Sequence, residues 1–546
     1  MNKVLGYIVK YQLLYWLLLI LLVAITVVRL TTLDVGFCTA WDEAYFLIKL
    51  REAYEGSIIT GKSQWNLLAI HWFPYLDLTN PIHSRISIYL CEFFGTILTT
   101  LTCVYAFGKR NILKYITLSY LLFLQIDTTY AGDSLNYVPM QALLLAIALC
   151  GVILYKHTKP KLRMLWMIPT GTALGLAIFV IMPSSVLLIG AICLLILIDK
   201  DWKSIPMLLL GIFIAVLYVH IFVCNLFQIY EAMQFTAAYF TKSGYRYSPT
   251  DMLIQLGLLA RDGLLCLLVC FGICFLSKTI SRYSSWIIAT LCMLLSFLAY
   301  THYQTKPQTS ISLIILSIIV YINIIASTSR MTRGKLNLYS VFLILFPLVA
   351  SIGTNTYLGN RMICFAIAWM FLLLENQNVY RVSMDRLPFI AILCILLLLK
   401  IVPSSEKLIP NRDAHFTRGN PNFAQLALTN DQVDYLNNVL DILNAQGYTP
   451  DSSIVFTSEY DWSTIYAIDA KLSSNFHQKR NFLYFPKEEM LKPDFIFLCE
   501  WDKMEIGEAL HEMPWGWPQE FDSIFVGSPE GKDFPWDADR WLYYRK

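Results

Sequence analysis

The sequence predicts an α-helical polytopic membrane protein of about thirteen spans with a small soluble α/β domain at its C-terminal end. Three observations predict it. The 546 residues are 56% hydrophobic and 15% charged, with a mean hydropathy of +0.53, too apolar for a soluble globule of that length. Apolar runs of membrane-crossing length recur from residue 13 to residue 402, and Lys and Arg cluster in alternate connections between them. Beyond Pro403 those runs give way to alternating extended and helical segments.

The first span, Leu13–Leu30, follows Lys3 and Lys10 in the charge order of a signal peptide. It is too long for an h-region and lacks a small-residue cleavage site, so it reads as retained. Further spans cover 86–107, 112–128, 137–155, 164–181, 184–198, 205–224 and 255–277. Five more cover 283–300, 309–327, 338–352, 358–374 and 387–402. With the N-terminus inside, the cytoplasmic connections carry Lys109, Arg110 and Lys114, then Lys156, Lys159, Lys161 and Arg163, then Lys200 and Lys203. Lys278 and Arg282, then Arg330, Arg333 and Lys335, then Arg381 and Arg386 continue the series. The opposite short connections around Asp133 and Pro183 carry neither Lys nor Arg, as retention of positive charge inside requires.

This orientation divides the chain into a membrane domain over 1–402, with an outer loop over 31–85, and an extracytoplasmic α/β domain over 403–546. In the latter, Ser453–Thr457, Asp494–Cys499, Ser523–Val526 and Trp541–Tyr544 read as extended, and Asp431–Ala445 as helical. Its Trp501, Trp515, Trp517, Trp536 and Trp541 suit sugar stacking, a small core or a bilayer interface equally, so no site is assigned to them.

Several functions are disfavoured. A formal charge of +3 without a basic cluster gives no footprint for nucleic acid. Most of the thirteen cysteines lie in apolar runs as small hydrophobes, and none has zinc-ligand spacing. No GxGxxG follows a strand and no P-loop is present.

The most informative stretch is Trp41-Asp42-Glu43-Ala44-Tyr45-Phe46, which begins a helix running to Gly56 on the outer side. Leu47, Leu50 and Tyr54 fall on one face, so this helix is expected to lie along the membrane surface. Asp42 and Glu43 suit the positive end of the helix dipole, which a capping role alone would explain. Asp133, in the connection between the third and fourth spans, is a second outer carboxylate and equally a turn residue. Carboxylates gathered in a partly dry site can act as a general base or bind a metal. Lys62, Arg85, Lys242, Arg246 and Arg361 are the cations on the same side. Arg246 sits in Gly244-Tyr245-Arg246-Tyr247, and Arg361 opens a span. Each serves as a phosphate ligand or as a side chain reaching for lipid headgroups.

Together these residues resemble the GT-C class of polyprenyl-phosphate-dependent glycosyltransferases, in the branch of the protein mannosyltransferases and lipid A aminoarabinose transferases. That branch opens its first outer loop with Asp-Glu and an aromatic, as Asp42-Glu43-Ala44-Tyr45 does. It closes the loop with a His-Pro-Pro-like turn, here Asn80-Pro81-Ile82, followed by Arg85. Asp133 matches an Asp between the third and fourth spans, and Gly171, Gly175 and Pro183 match a Gly-rich fifth span ending near proline. The thirteen spans and outward C-terminal domain match the layout.

The resemblance implies a GT-C-like fold and inverting transfer of a sugar from a polyprenyl-phosphate donor to an acceptor hydroxyl on a lipid, glycan or protein, at the extracytoplasmic face. It implies Asp42 as general base, with Glu43 and Asp133 orienting the acceptor or holding that carboxylate. The donor phosphate is assigned to Arg85, Lys62, Arg246, Tyr245 and Arg361. An integral protein of a bacterial inner membrane is expected, with membrane lipids as partners. A divalent cation, Mg or Mn, is left open as cofactor. A transporter is the rival reading, and it predicts repeats and mid-span charges. Here the acidic residues lie at span ends, with Glu92 the main exception. An O-antigen polymerase or ligase, which places its large loop late in the chain, ranks third.

Overall fold

The computed structural model describes residues 2–36, 42–55, 64–127, 134–231, 234, 253, 254, 256, 257, 338–353, 361–380, 412–450, 452–457, 461–473, 491–527 and 539–546. In chain order the helices are α1 (Asn2–Thr31), α2 (Asp42–Tyr54), α3 (Trp65–Trp72), α4 (Pro81–Phe107), α5 (Ile112–Phe123) and α6 (Tyr137–His157). Next come α7 (Pro160–Arg163), α8 (Met167–Val180), α9 (Met182–Ile198), α10 (Ser204–Tyr218), α11 (Leu338–Ser351) and α12 (Ile367–Tyr380). Among the described residues, four helices are long and apolar enough to cross a membrane: Pro81–Phe107, Tyr137–His157, Pro160–Val180 and Ser204–Val223. Tyr15–Thr31, Met182–Ile198 and Leu338–Ser351 are shorter apolar helices. The expected spans at 255–277, 283–300, 309–327 and 387–402 lie outside the described residues, apart from 256 and 257. The end of the membrane domain at 402 lies outside them too.

Basic connections gather at one end of the bundle. Arg163 Nε donates to Asp201 Oδ2 at 2.7 Å, and the Tyr155 and Ser204 hydroxyls donate to the same oxygen. Lys156 pairs with Asp199, and His157 with Glu375 at 2.6 Å. The first loop gathers at the other end, where the Gln64 amide donates to the Phe179 carbonyl and Gly353 lies against Pro183.

The glycines of the fifth apolar run serve packing. A methyl group on Gly171 would come within 2.0 Å of the Leu208 carbonyl oxygen on α10, and one on Gly211 within 2.1 Å of the Ile168 oxygen. Only hydrogen lets α8 and α10 approach so closely, in the small-residue mode of membrane helix pairs. Gly171→Ala is therefore expected to destabilise the detergent-solubilised chain by about 1–3 kcal/mol. Gly190→Ala, at a site with nothing within 4 Å, should not. Thermal unfolding of the two variants side by side checks this.

In the C-terminal part, a five-stranded sheet comprises β1 (Ile454–Thr457), β2 (Lys471–Leu472), β3 (Phe495–Cys499), β4 (Phe521–Gly527) and β5 (Arg540–Arg545). The order is β2-β1-β3-β5-β4; β1 runs parallel to β2 and β3, whereas β5 is antiparallel to β3 and β4. Helices α13 (Asn430–Ala445), α14 (Trp462–Ala467) and α15 (Glu500–Leu510) accompany it. Every residue of β3 is buried, so the sheet is covered on both faces. Phe495 and Phe497 pack with Leu436, Val439 and Leu440 of α13, while Ile496 and Leu498 pack with Ile506, Trp515 and Trp517. Trp515 and Trp517 are thus core residues. The α13 helix starts at a capping box, Thr429 with Gln432, that satisfies two otherwise orphaned backbone donors.

One expectation is corrected. The α2 helix does not have a single apolar face carrying Leu47, Leu50 and Tyr54. Leu50 and Phe46 join the core of the membrane bundle, whereas Ala44, Leu47 and Ile48 join the core of the C-terminal domain. Tyr54, assigned to the same apolar face, is exposed. The helix is apolar on two sides because it is covered on two sides.

Candidate functional site

The site is built where α2, the start of α4 and the start of α6 meet. Asn80 is the N-cap of α4: its side-chain oxygen accepts from the Ile82 amide at 2.9 Å, and Pro81 follows at a position that needs no N–H. One turn on, Arg85 points at α2. Its Nε and one terminal nitrogen reach the two Glu43 oxygens at 2.8 and 3.1 Å. Its other terminal nitrogen donates to the carbonyls of Leu33 and Val35 at 2.6 and 2.5 Å. Glu43 and Arg85 are 0% and 2% exposed.

The connection into α6 joins the same knot. Ser134 Oγ donates to Glu43 Oε1 at 2.7 Å, and the Leu135 amide donates to Ser84 Oγ at 2.8 Å. Asn136 caps α6 by accepting from the Val138 amide. Tyr137, the first residue of α6, meets Phe46 of α2 edge-on, with ring centroids 6.0 Å apart. Its ring also carries the Arg361 guanidinium, 5.0 Å from the centroid. Arg361 is 1% exposed, and among the described residues its two terminal nitrogens have no hydrogen-bond partner.

The residues selected from the sequence therefore fall into four groups. Glu43 and Arg85 are brought together as an ion pair, so the guanidinium assigned to a phosphate faces a carboxylate instead. Arg361 is brought to the same helix ends through Tyr137. Asp42 is the first residue of α2, beside Glu43 in the chain, but its side chain is not described. Asp133, Lys62, Tyr245 and Arg246 lie outside the described residues. Asp133 nevertheless immediately precedes Ser134, which is hydrogen-bonded to the neighbour of Asp42.

Ser134, Ser84 and Tyr137 went unselected, because a hydroxyl or a helix-starting aromatic carries no local signature. The partner of Glu92 also went unselected. Arg29 of α1 grips that carboxylate through both terminal nitrogens at 2.9 Å, under the Tyr89 ring. A carboxylate inside an apolar span calls for a partner, and Arg29 is the cation at the end of the preceding span. The mid-span charge is thus neutralised by a helix-to-helix clasp.

Among the described residues no group of three or more His, Cys, Asp or Glu side chains could hold a metal ion. With Glu43 committed to Arg85, Asp42 and Asp133 are the motif carboxylates left for a cation.

Fold and site together define a helical integral membrane protein whose acidic loop helix is covered by an α/β domain. Comparison with protein-family models and with curated proteins gives no match. Among solved structures, the chain is similar to the crystal structure of ArnT from Cupriavidus metallidurans in the apo state. The identity is 12%, the similarity covers 96% of this chain and 97% of that one, and the TM-score is 0.47.

Proposed function

We propose that this chain is a GT-C-type membrane glycosyltransferase that moves a sugar from a polyprenyl-phosphate donor to an acceptor hydroxyl at the extracytoplasmic face. The observation that carries the reading is Arg361, whose terminal nitrogens have no partner among the described residues. A buried cation without an anion is costly, so such a group is retained where an anionic ligand completes it. It rests on a tyrosine that also touches the helix of Asp42 and Glu43.

The step balances without an added reactant. The acceptor oxygen attacks the anomeric carbon from the face opposite the phosphate, and its proton passes to the Asp42 carboxylate. The bond from the anomeric carbon to the phosphate oxygen breaks, and its electron pair leaves with the polyprenyl phosphate. The configuration inverts. The phosphate gains one negative charge in this step, and Arg361 is the group assigned here to stabilise it. Glu43 serves as a positioning residue through its pair with Arg85, and Asp133 orients the acceptor. Lys62, Tyr245 and Arg246 remain further donor contacts in this reading. A divalent cation, if used, would be held by Asp42 and Asp133 and would supply positive charge for the leaving phosphate; loss of transfer on chelation and its return with Mg or Mn would assign it.

The test is transfer from polyprenyl-phosphate sugars by the purified full chain and its Arg361 variants. Arg361→Gln is expected to lose about 10²–10³-fold in kcat/KM, as when one electrostatic stabiliser of the transition state is removed. Arg361→Lys should keep part of it, since a point charge replaces a planar fork. Wild-type transfer by Arg361→Gln would overturn the phosphate assignment.

A further inference from the structure

The C-terminal domain grips the first outer loop at three places. Before α2, the Gly36 amide donates to the Ala427 carbonyl at 2.9 Å, and the Ala427 amide returns a bond to the Asp34 carbonyl at 2.6 Å. Along α2, Ala44, Leu47 and Ile48 are 0% exposed and share one core with Phe416, Leu426 and Trp462. Tyr45 meets the Trp462 ring edge-on, with centroids 5.4 Å apart. After α2, Asn422 donates to Asp77 and Thr79 at 3.3 and 3.0 Å, Asn80 donates to Gln425 at 3.1 Å, and the Tyr466 hydroxyl donates to the Thr79 carbonyl. Burial, the largest influence, pushes the Tyr466 phenol well above its usual range, although Arg51 opposes it. It therefore acts as a neutral donor.

The C-terminal end of α2 is fixed by a fourth contact. Arg51 donates to Asp469 Oδ1 at 2.6 Å and to the Ala470 carbonyl at 2.9 Å. Asp469 has a φ of 59°, a left-handed conformation that L residues adopt at a cost, with Asp and Asn among the tolerant ones. Such an outlier persists where its surroundings hold it, and here it aims a carboxylate at α2.

We propose that the C-terminal domain is a positioning clamp for α2, with Asp469 and Tyr466 as positioning residues that set the placement of the acidic motif. The catalytic half of this inference rests on the glycosyltransferase reading; the mechanical half does not. A helix sealed between two cores has few ways to move, so losing one edge contact lets it fray locally before the protein unfolds. Displacing a reacting group by an ångström can cost about 100-fold in rate, with donor binding by Arg361 left in place.

Two measurements on the full chain test this. Asp469→Asn removes the charge while tolerating the left-handed backbone, Tyr466→Phe removes only the hydroxyl, and Arg51→Lys is the conservative control. Hydrogen exchange across residues 42–54 should quicken roughly 10-fold in Asp469→Asn, and across residues 77–84 in Tyr466→Phe, while α13 exchanges as before. With a polyprenyl-phosphate sugar as donor, kcat should fall on the order of 10-fold to 100-fold with donor KM unchanged, and Arg51→Lys should retain much of it. Unchanged exchange in α2 would overturn the clamp, and faster exchange with full transfer would overturn its catalytic half. If the wild-type chain transfers no sugar yet α2 exchange responds, the glycosyltransferase reading fails and the mechanical clamp stands.

Discussion

Glu43→Ala is expected to destabilise the protein by about 3–5 kcal/mol, because it strands a buried guanidinium without its carboxylate. Arg85 is 2% exposed, and two of its contacts go to the paired oxygens of Glu43. The carbonyls of Leu33 and Val35 would remain, but neither carries a charge. Ser134 would lose its acceptor as well. Glu43→Gln keeps the shape and one carbonyl oxygen, so its cost should be smaller, about 1–3 kcal/mol. Removing both partners in Glu43→Ala with Arg85→Ala should cost less than the sum of the two single changes. The readout is heating in the presence of a thiol-reactive dye, since Cys91, Cys103 and Cys150 are buried and react only as the bundle opens. A wild-type midpoint for Glu43→Ala would show that the pair does not hold α2 to α4.

The same pair marks where the sequence stops being legible. Apolar runs announce α4, α6 and α10 because a span must satisfy its backbone internally, and that demand is local. The turn at Asn80 and Pro81 announces the start of α4, since a capping side chain and a proline act within one turn. Strands β1, β3, β4 and β5 and helix α13 fall within a few residues of the segments read as extended or helical. Two-residue β2 was missed, because it has no pattern of its own and exists through pairing with β1.

Side-chain destinations were harder to read. Arg85 and Glu43 both stood out, yet nothing in the chain says that a cation 42 residues away turns inward to the carboxylate instead of outward to a ligand. The two-sided burial of α2 depends on residues such as Trp462 and Tyr466, more than four hundred positions later. A helical period reveals one apolar face; it does not reveal a second partner supplied by another part of the fold. Arg29 with Glu92 was the recoverable case, because a charge inside a span obliges a nearby counter-charge.

Asp42→Asn is expected to lower transfer by about 10²–10⁴-fold, the range that a positioned general base contributes. The neighbouring carboxylate makes this comparison informative. Glu43 anchors α2 through Arg85 and Ser134, so Asp42→Asn leaves that anchor whole. Its stability and its donor KM should therefore match the wild type while kcat falls. Glu43→Gln should instead lose stability and transfer together, because it acts through the placement of the helix. The assay uses the purified full chain with polyprenyl-phosphate sugars, and unfolding is measured on the same preparations. Undiminished transfer by Asp42→Asn would remove it as the base and leave Asp133 as the remaining motif carboxylate. Labelling a cysteine introduced at Trp41 from each side of the membrane supplies the geometric control. Should it react only from the cytosol, an acceptor at the outer face has no route to this carboxylate, whatever the rate measured in detergent.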